Sequence, residues 1–427
     1  MTDQDGIVFP GGATTSRSLP SLDDMLHSLL LIEEGEHEFS GEEEHVTELR
    51  QLFFPVTRHN IYLNHAANGP LPRPVTRTLH EYVDDTSIYG NINYARWSEY
   101  ESGAHRRLAN LMRARPEQIA LTASTGDGFM TIAQGLRWQE GDVIISAEGE
   151  FPSNVYPWLN LKEYGVRLHK VPARDSRIVV DDIFGSITER TRLVTLSLVE
   201  FSSGFRNDIA TIARHCHERG ILCGIDAMQA LGSVDVDVQA LGIDYLSAAS
   251  HKWLLGPQIC GILYVSDDLM PQLHAARRGW LSVETPFDFF NHDQPLRTGA
   301  ARFEHSSTNR LPVVGMDAAL GVFESIDGGM QAVEARILGL TNYAIAGLER
   351  LGYPVVSPQG EGERSGIVCF KPHPARQDAG VQDIVDELVS RRIYVAARSD
   401  IVRISPHFYN TLEEIDVLLN ELEGMLS

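Results

Sequence analysis

From about residue 61 the chain alternates between two arrangements of hydrophobic and polar positions. Short apolar, β-branched runs at Ile61–Asn64, Gln118–Ala123, Asp142–Ser146, Arg167–Val171, Arg192–Val199, Ile221–Asp226, Ile243–Ala248 and Ile259–Val265 predict strands. Several are continuously apolar, as strands covered on both faces are. Between them, amphipathic stretches at Tyr94–Arg113, Gly128–Gly135, Asn154–Tyr164 and Ile209–Arg219 predict helices. The last of these closes with Arg219-Gly220, a basic last turn before a C-cap glycine. Such alternation predicts an α/β domain with a mostly parallel sheet flanked by helices.

After about residue 310 the pattern changes. A long helical region, Leu311–Leu351, carries one break at Gly328-Gly329. Strands follow at Gly366–Lys371, Ile393–Ala396 and Val402–Ser405, with helices at Val381–Arg391 and Leu412–Met425. The Pro/Gly/Glu-rich stretch Ser357–Ser365 reads as a surface loop. The expected division is an N-terminal extension at 1–57, a large α/β domain at 58–320 and a smaller α+β domain at 321–427.

Charge sharpens this division. Lys and Arg number 36 against 58 Asp and Glu, a net charge of −22. Residues 1–50 hold 12 acids and 2 arginines, so −10 of it sits there and −12 on the remaining 377 residues. Acids packed as densely as Glu33 to Glu48 repel one another and predict a solvated, frayed segment, with a docking arm for a partner as the sharper alternative. An acid surplus repels phosphate backbones and anionic headgroups, which argues against nucleic-acid and membrane partners. The apolar run Met25–Ile32 is too short to span a bilayer, and no signal-peptide pattern opens the chain. Cys216, Cys223, Cys260 and Cys369 form neither a C-x-x-C pair nor a disulfide framework. A soluble, cytoplasmic protein is expected.

Ligands of parallel α/β sheets collect beyond the carboxyl ends of strands. Beyond Gln118–Ala123 lies Ser124-Thr125-Gly126-Asp127-Gly128, which opens a helix. The free N–H groups and dipole of a helix start favour an anion, although a plain N-cap would also explain the Ser and Thr. Asp226 ends the run Ile221–Asp226, where a carboxylate is costly to bury without a cation; an N-cap role is the simpler alternative. His251 and Lys252 follow Ile243–Ala248. A lysine of depressed pKa beside a buried strand can act as a Schiff-base nucleophile, and a surface lysine at a strand end is the plainer reading. Together the three segments match the needs of pyridoxal phosphate: a lysine for its aldehyde, a carboxylate for its ring nitrogen and a cradle for its phosphate.

At these residues the chain resembles the class V aminotransferase family of fold-type I pyridoxal-phosphate enzymes, which includes cysteine desulfurases, kynureninase-like lyases and isopenicillin N epimerase-like proteins. The resemblance rests on Asp226-Ala-Met-Gln229 followed by Ser250-His-Lys252-Trp, and extends from about Tyr62 to Glu423. It includes Tyr62 to Pro70, Glu150 to Trp158, Arg302 to Asn309, and Val402-Arg-Ile-Ser405 followed by Tyr409-Asn-Thr411. It implies a homodimer with shared active sites and an amino-acid substrate. Lys252 would carry the cofactor as a Schiff base, and Asp226 would pair with its ring nitrogen. Gln229 would bond its ring oxygen, while Ser124, Thr125 and His251 would hold its phosphate. Ser307 would reach in from the partner subunit. Phe151 stands where the family often has a stacking histidine, and it can stack but not move a proton. Arg403 would grip the substrate carboxylate bidentately, and Asn68 would lie on the substrate side.

Departures from the family pattern narrow the chemistry. Desulfurases carry a nucleophilic cysteine in the loop before the substrate arginine; here that loop, Ala396-Ala-Arg-Ser-Asp400, has none. Cys369 lies in a predicted strand and is expected to pack. Phe201 falls where desulfurases have an asparagine near the ring oxygen. His215-Cys216-His217 lies within one helix, where neighbouring side chains diverge, so no metal site is expected. Arg277 and Arg278 are candidates for the substrate entry or for a second carboxylate, with a structural loop as the alternative. The resulting expectation is an aminotransferase. Epimerisation and carbon–sulfur or kynureninase-like lyase chemistry remain alternatives, and a non-catalytic binding relative is a further one.

Overall fold

A computed structural model describes residues 41–376 and 380–426. Met25–Ile32 and the acids before residue 41 lie outside the described residues. Fourteen strands are described, and β1 is Ile61–Tyr62. The central sheet contains β2 (Ile119–Thr122), β3 (Val143–Ala147), β4 (Arg167–Val171), β7 (Thr191–Ser197), β8 (Leu222–Asp226), β9 (Tyr245–Ala249) and β10 (Gly261–Val265). A small hairpin is formed by β5 (Ala173–Arg174) and β6 (Arg177–Ile178). The C-terminal strands are β11 (Val368–Phe370), β12 (Ile393–Tyr394), β13 (Ala396–Arg398) and β14 (Ile401–Ile404).

The central order is β2-β10-β9-β8-β7-β3-β4. Only β10 runs against its neighbours, so the expected mostly parallel α/β sheet is what forms. Strands β3, β9 and β10 are buried along their whole length, matching their continuous apolar runs. At the edge, β4 instead exposes Arg167, His169 and Lys170, charges that discourage pairing with another sheet.

The reversed strand matters for the site. Gly261, the first residue of β10, pairs with both Thr122 and Ala249, so the ends of β2 and β9 meet at one edge. Only glycine fits there: a Cβ on Gly261 would sit 2.3 Å from Thr122 Oγ1 and 2.6 Å from Ser124 N.

In the C-terminal region, β11-β14-β13 form an antiparallel sheet, and β1 pairs in parallel with β12. Helices Gly329–Arg350, Val381–Ser390 and Leu412–Gly424 surround a core that includes Leu63, Leu348, Phe370, Val402 and Leu418. The break at Gly328-Gly329 is real: one helix ends at Glu324 and the next begins at Gly329.

Three stretches differ from the pattern reading. Gly41–Phe53 is a helix, so the described end of the acidic run is not frayed. Its Leu49 and Phe53 are buried, and Arg50 pairs with Glu414 at 2.7 Å. Arg73–Tyr89 is a helix absent from the predicted elements; Val75, Leu79 and Tyr82 share one of its faces, and only Val75 is fully buried. The stretch Asn154–Tyr164 breaks into short 3-10 and α turns around Pro157. Among the described residues no helix is long and apolar enough to cross a membrane.

Candidate active site

A cavity of about 160 Å³ opens beyond the ends of β2, β8 and β9. Ser124, Thr125, Phe151, Asp226, Gln229, His251 and Lys252 all line it. Residues separated by more than a hundred positions meet there because the sheet brings the ends of β2, β8 and β9 to one edge, with β10 between β2 and β9.

One wall is the start of helix Thr125–Gly135. Ser124 caps it, its Oγ accepting from Asp127 N at 3.2 Å. The first-turn N–H groups of Thr125 and Gly126 have no acceptor within the helix, and both residues line the cavity together with Ser153. Asp127 points away and accepts from Ala123 N at 3.1 Å. This wall is neutral to basic and suits an anion.

Opposite it, Asp226 ends β8. Its carboxylate is buried and accepts from Met228 N at 2.9 Å. Burial pushes its pKa up to about 6, against the pull of the Met228 N–H and the charge of Lys252. Lys252 shows the converse: burial lowers it to about 8, opposed by Asp226 and assisted by Arg403 and Arg398. Its Nζ lies 5.5 Å from the centre of the Phe151 ring, which stands edge-on to Phe201 at 5.3 Å. His251 is held below its usual pKa by burial and by Lys252, and its buried Nδ1 has no partner.

The backbone around Lys252 is tightly set. Gly69 N donates to His251 O at 2.8 Å, and a Cβ on Gly69 would lie 2.2 Å from Lys252 O. Trp253 Nε1 donates to Gln229 Oε1 at 2.8 Å, while Gln229 Nε2 donates to Ala66 O at 3.0 Å. One N–H of Gln229 is left for the cavity.

Arg403 comes from β14 and is buried. Its Nη1 donates to Phe201 O at 2.8 Å, whereas Nε and Nη2 have no partner. Burial, then the charge of Arg398, lowers its pKa to about 10. Three expected residues do not join the cavity lining: Arg403, which lies against the lining residue Phe201, and Asn68 and Ser307. Asn68 bonds Gly69 O and, through Gln258 Nε2, a neighbouring turn. Ser307 is exposed on an adjoining cavity of about 260 Å³ that shares Ala123 and Ile259 with the first.

Arg277 and Arg278 take the structural alternative. Arg277 Nη1 meets Asp127 Oδ1 at 2.5 Å and Nη2 donates to Thr131 Oγ1 at 2.7 Å, so it braces the helix start from outside. Arg278 is bound to Gln294 O. His215, Cys216 and His217 diverge: His215 stacks on Phe184, Cys216 is buried, and His217 bonds Asp244. Cys369 packs in β11, where burial pushes its thiol up to about 12.

Two buried acids behind Asp226 were not singled out from the sequence. Glu150 accepts from Ser197 N at 2.5 Å and Ser197 Oγ at 2.8 Å, and Ser197 pairs with Asp226 across the sheet. Burial and the nearby Asp226 raise its pKa to about 7. Glu200 accepts from Asn207 Nδ2 at 2.8 Å and is raised well above the usual carboxylate range by burial and by Glu150. The sequence signal was faint: Glu200 ends an apolar run as Asp226 does, whereas Glu150 is set off from its strand by Glu148 and Gly149.

The family model described as Aminotransferase class-V matches residues 61–418. A protein of Methanothermobacter thermautotrophicus named a probable cysteine desulfurase is 30% identical over 404 residues, 87% of this chain and 96% of the relative. An uncharacterized aminotransferase, YcbU of Bacillus subtilis, is 26% identical over 379 residues, 89% and 98% of the two chains. Among solved structures, the apo cysteine desulfurase of Thermococcus onnurineus superposes with a TM-score of 0.78 at 22% identity, covering 92% of this chain and 99% of the other. The cystine C–S lyase C-DES, in complex with its product cysteine persulfide, gives a TM-score of 0.79 at 23% identity over 87% and 99%. These structures share the fold.

Proposed function

This chain belongs to the aminotransferase class V family, and from that premise we propose an aminotransferase in which Lys252 and Asp226 face one another across the cofactor site. Family membership makes it a pyridoxal-phosphate-dependent enzyme that acts on amino acids. The residues present fit that group. Asp226 is a buried carboxylate whose raised pKa reflects too little positive charge around it, which a ring nitrogen would supply. His251 Nδ1 and two donors of Arg403 are buried without partners. The observation that carries the assignment is the convergence of Lys252, Asp226 and a capped helix start on one cavity.

Bound there, the cofactor supplies an electron sink for charge that develops at the substrate's Cα. Ser124, Thr125, the first-turn N–H groups and His251 would hold its phosphate. Phe151 would cover its ring, and Gln229 would donate to its ring oxygen. Asp226 would keep the ring nitrogen protonated. Arg403 grips the substrate's α-carboxylate with the two donors left free, which fixes Cα against Lys252. With a pKa of about 8, Lys252 is neutral in a useful fraction of molecules near neutral pH and can take a proton from Cα and return it. The four cysteines are buried, and burial raises each thiol; none supports a persulfide step.

The enzyme acts as a homodimer in this proposal. Ser307 is exposed beside the site, positioned to serve a second copy. Ile92, Phe287, Phe289 and Phe290 are exposed, and Phe287 lies near Tyr94 and Trp280, so this apolar patch needs covering. Asn68 takes the substrate side of the entry turn. The free cysteines are consistent with a reducing, cytoplasmic setting. The domain limits we assign are 58–320 and 321–427, after an acidic extension at 1–57.

Adding pyridoxal phosphate to the purified protein should raise a visible absorbance band that Lys252→Ala abolishes. A panel of amino acids should then give keto acids and the aminated cofactor. A folded wild-type protein with no band overturns the assignment. Ammonia and keto acid without aminated cofactor, or inversion at Cα with solvent deuterium incorporated, would replace transamination by lyase or epimerase chemistry.

A further inference from the structure

We propose that Arg398 forms a second anion subsite beside Arg403, so that the substrate is an amino acid with an acidic side chain; this rests on the assignment of Arg403 to the α-carboxylate.

The geometry comes from the C-terminal sheet. In the antiparallel pair β13–β14, Ala396 lies opposite Arg403 and Arg398 opposite Ile401. Side chains alternate along a strand, so Ala396, Arg398, Ile401 and Arg403 project from one face. The two arginines are therefore diagonal neighbours, with Cβ atoms about 7 Å apart. On the other side of β14, Cys369 pairs with Arg403 and shares that face. The face is turned onto the segment that walls the cavity: Arg403 Nη1 reaches Phe201 O at 2.8 Å, and Cys369 Sγ reaches Ser202 O at 3.4 Å. The other two corners of the four-residue square on β13–β14 are the apolar side chains of Ala396 and Ile401, so no charged group stands between the arginines.

Arg398 is otherwise uncommitted. It is exposed, and the one bond recorded for it among the described residues is from Nη1 to Ala397 O at 2.9 Å. The acid nearest in sequence, Asp400, pairs with Lys371 at 3.2 Å. Arg277 and Arg278 are held elsewhere, by Asp127 and by Gln294 O. Its charge is felt inside the site, lowering both Lys252 and Arg403. Among the described residues neither Arg398 nor Arg403 is paired with a carboxylate. An α-carboxylate satisfies Arg403, and the cofactor phosphate sits at the helix start on another wall. One further anion, a carboxylate or sulfinate on the substrate side chain, meets Arg398.

The test uses the cofactor-loaded full chain and unreactive acids. Calorimetry compares succinate with butyrate, which share a carbon count and differ by one carboxylate, in wild type, Arg398→Gln and Arg398→Lys. We expect succinate to bind at least about tenfold tighter than butyrate in wild type, the preference to vanish in Arg398→Gln, and Arg398→Lys to restore part of it. In turnover, the ratio of kcat/KM for aspartate over asparagine should fall by about tenfold or more in Arg398→Gln. A wild-type protein that shows the cofactor's visible band but binds both acids equally overturns the subsite alone. So does a succinate preference that survives Arg398→Gln. A wild-type protein without the band overturns both the subsite and the reading on which it rests.

Discussion

His407 is buried at the seam between the Lys252 segment and the C-terminal region, and both ring nitrogens are committed. Nε2 lies 2.8 Å from Trp253 O and must donate, because a carbonyl only accepts. Nδ1 accepts from Phe408 N at 2.9 Å. The neutral ring satisfies both bonds, and a proton on Nδ1 would face the Phe408 N–H. Burial, partly offset by the bond to Trp253, lowers the pKa from 6.5 to about 4. That drop corresponds to about 3 kcal/mol of differential stability. Its sign is fixed by linkage: the contribution is present above pH 6.5, where folded and unfolded rings are both neutral, and is lost as pH falls through about 4. His65 is lowered by burial too and acts in the same direction. Glu150 acts oppositely, since its raised pKa costs stability as pH rises toward about 7. The difference between wild type and His407→Gln cancels these shared effects. Glutamine keeps a donor for Trp253 O and loses the Phe408 acceptor, at a cost of about 1 kcal/mol. Urea denaturation should therefore show the variant about 1 kcal/mol less stable near pH 7.5 and about 2 kcal/mol more stable near pH 4. Parallel pH profiles for the two proteins would refute the neutral, fixed tautomer.

Other perturbations test other links of the argument. Asp226→Asn removes a charge-assisted partner of the ring nitrogen and should weaken cofactor binding by about 10- to 100-fold in a fluorescence titration, with the thermal transition of the cofactor-free protein preserved or raised. Gly69→Ala places a methyl 2.2 Å from Lys252 O, so it should reduce kcat by at least about tenfold while circular dichroism stays unchanged. Arg50→Ala strips the 2.7 Å partner from the largely buried Glu414, which keeps only its bonds from Asn410 and Thr411; denaturation should report a loss of about 2 kcal/mol.

The parts of the site legible in the sequence share one physical signature: a charge at the end of a run too apolar to tolerate it alone. Asp226 after Ile221–Ile225 and Lys252 after Ile243–Ala249 stand out because desolvation makes an unpaired charge costly there, so the run itself implies a partner. The sheet order supplies that partner, since adjacent β8 and β9 end at the same edge. Glu200 carries a similar signature, and Glu150, after Glu148 and Gly149, does not. The groups that satisfy them, Ser197 and Asn207, are ordinary polar residues whose role depends on a register that no local pattern displays. Arg277 and Arg278 show the converse. A pair of arginines before a tryptophan invites a ligand, yet Asp127, 150 positions away, claims the first. Arg398 is their counterpart. On the strand it is one arginine among many, and only the pairing of Arg398 with Ile401 puts it on the same face as Arg403. A slip of one residue in that register would turn Arg398 to the opposite face, so its assignment to the substrate depends on strand pairing.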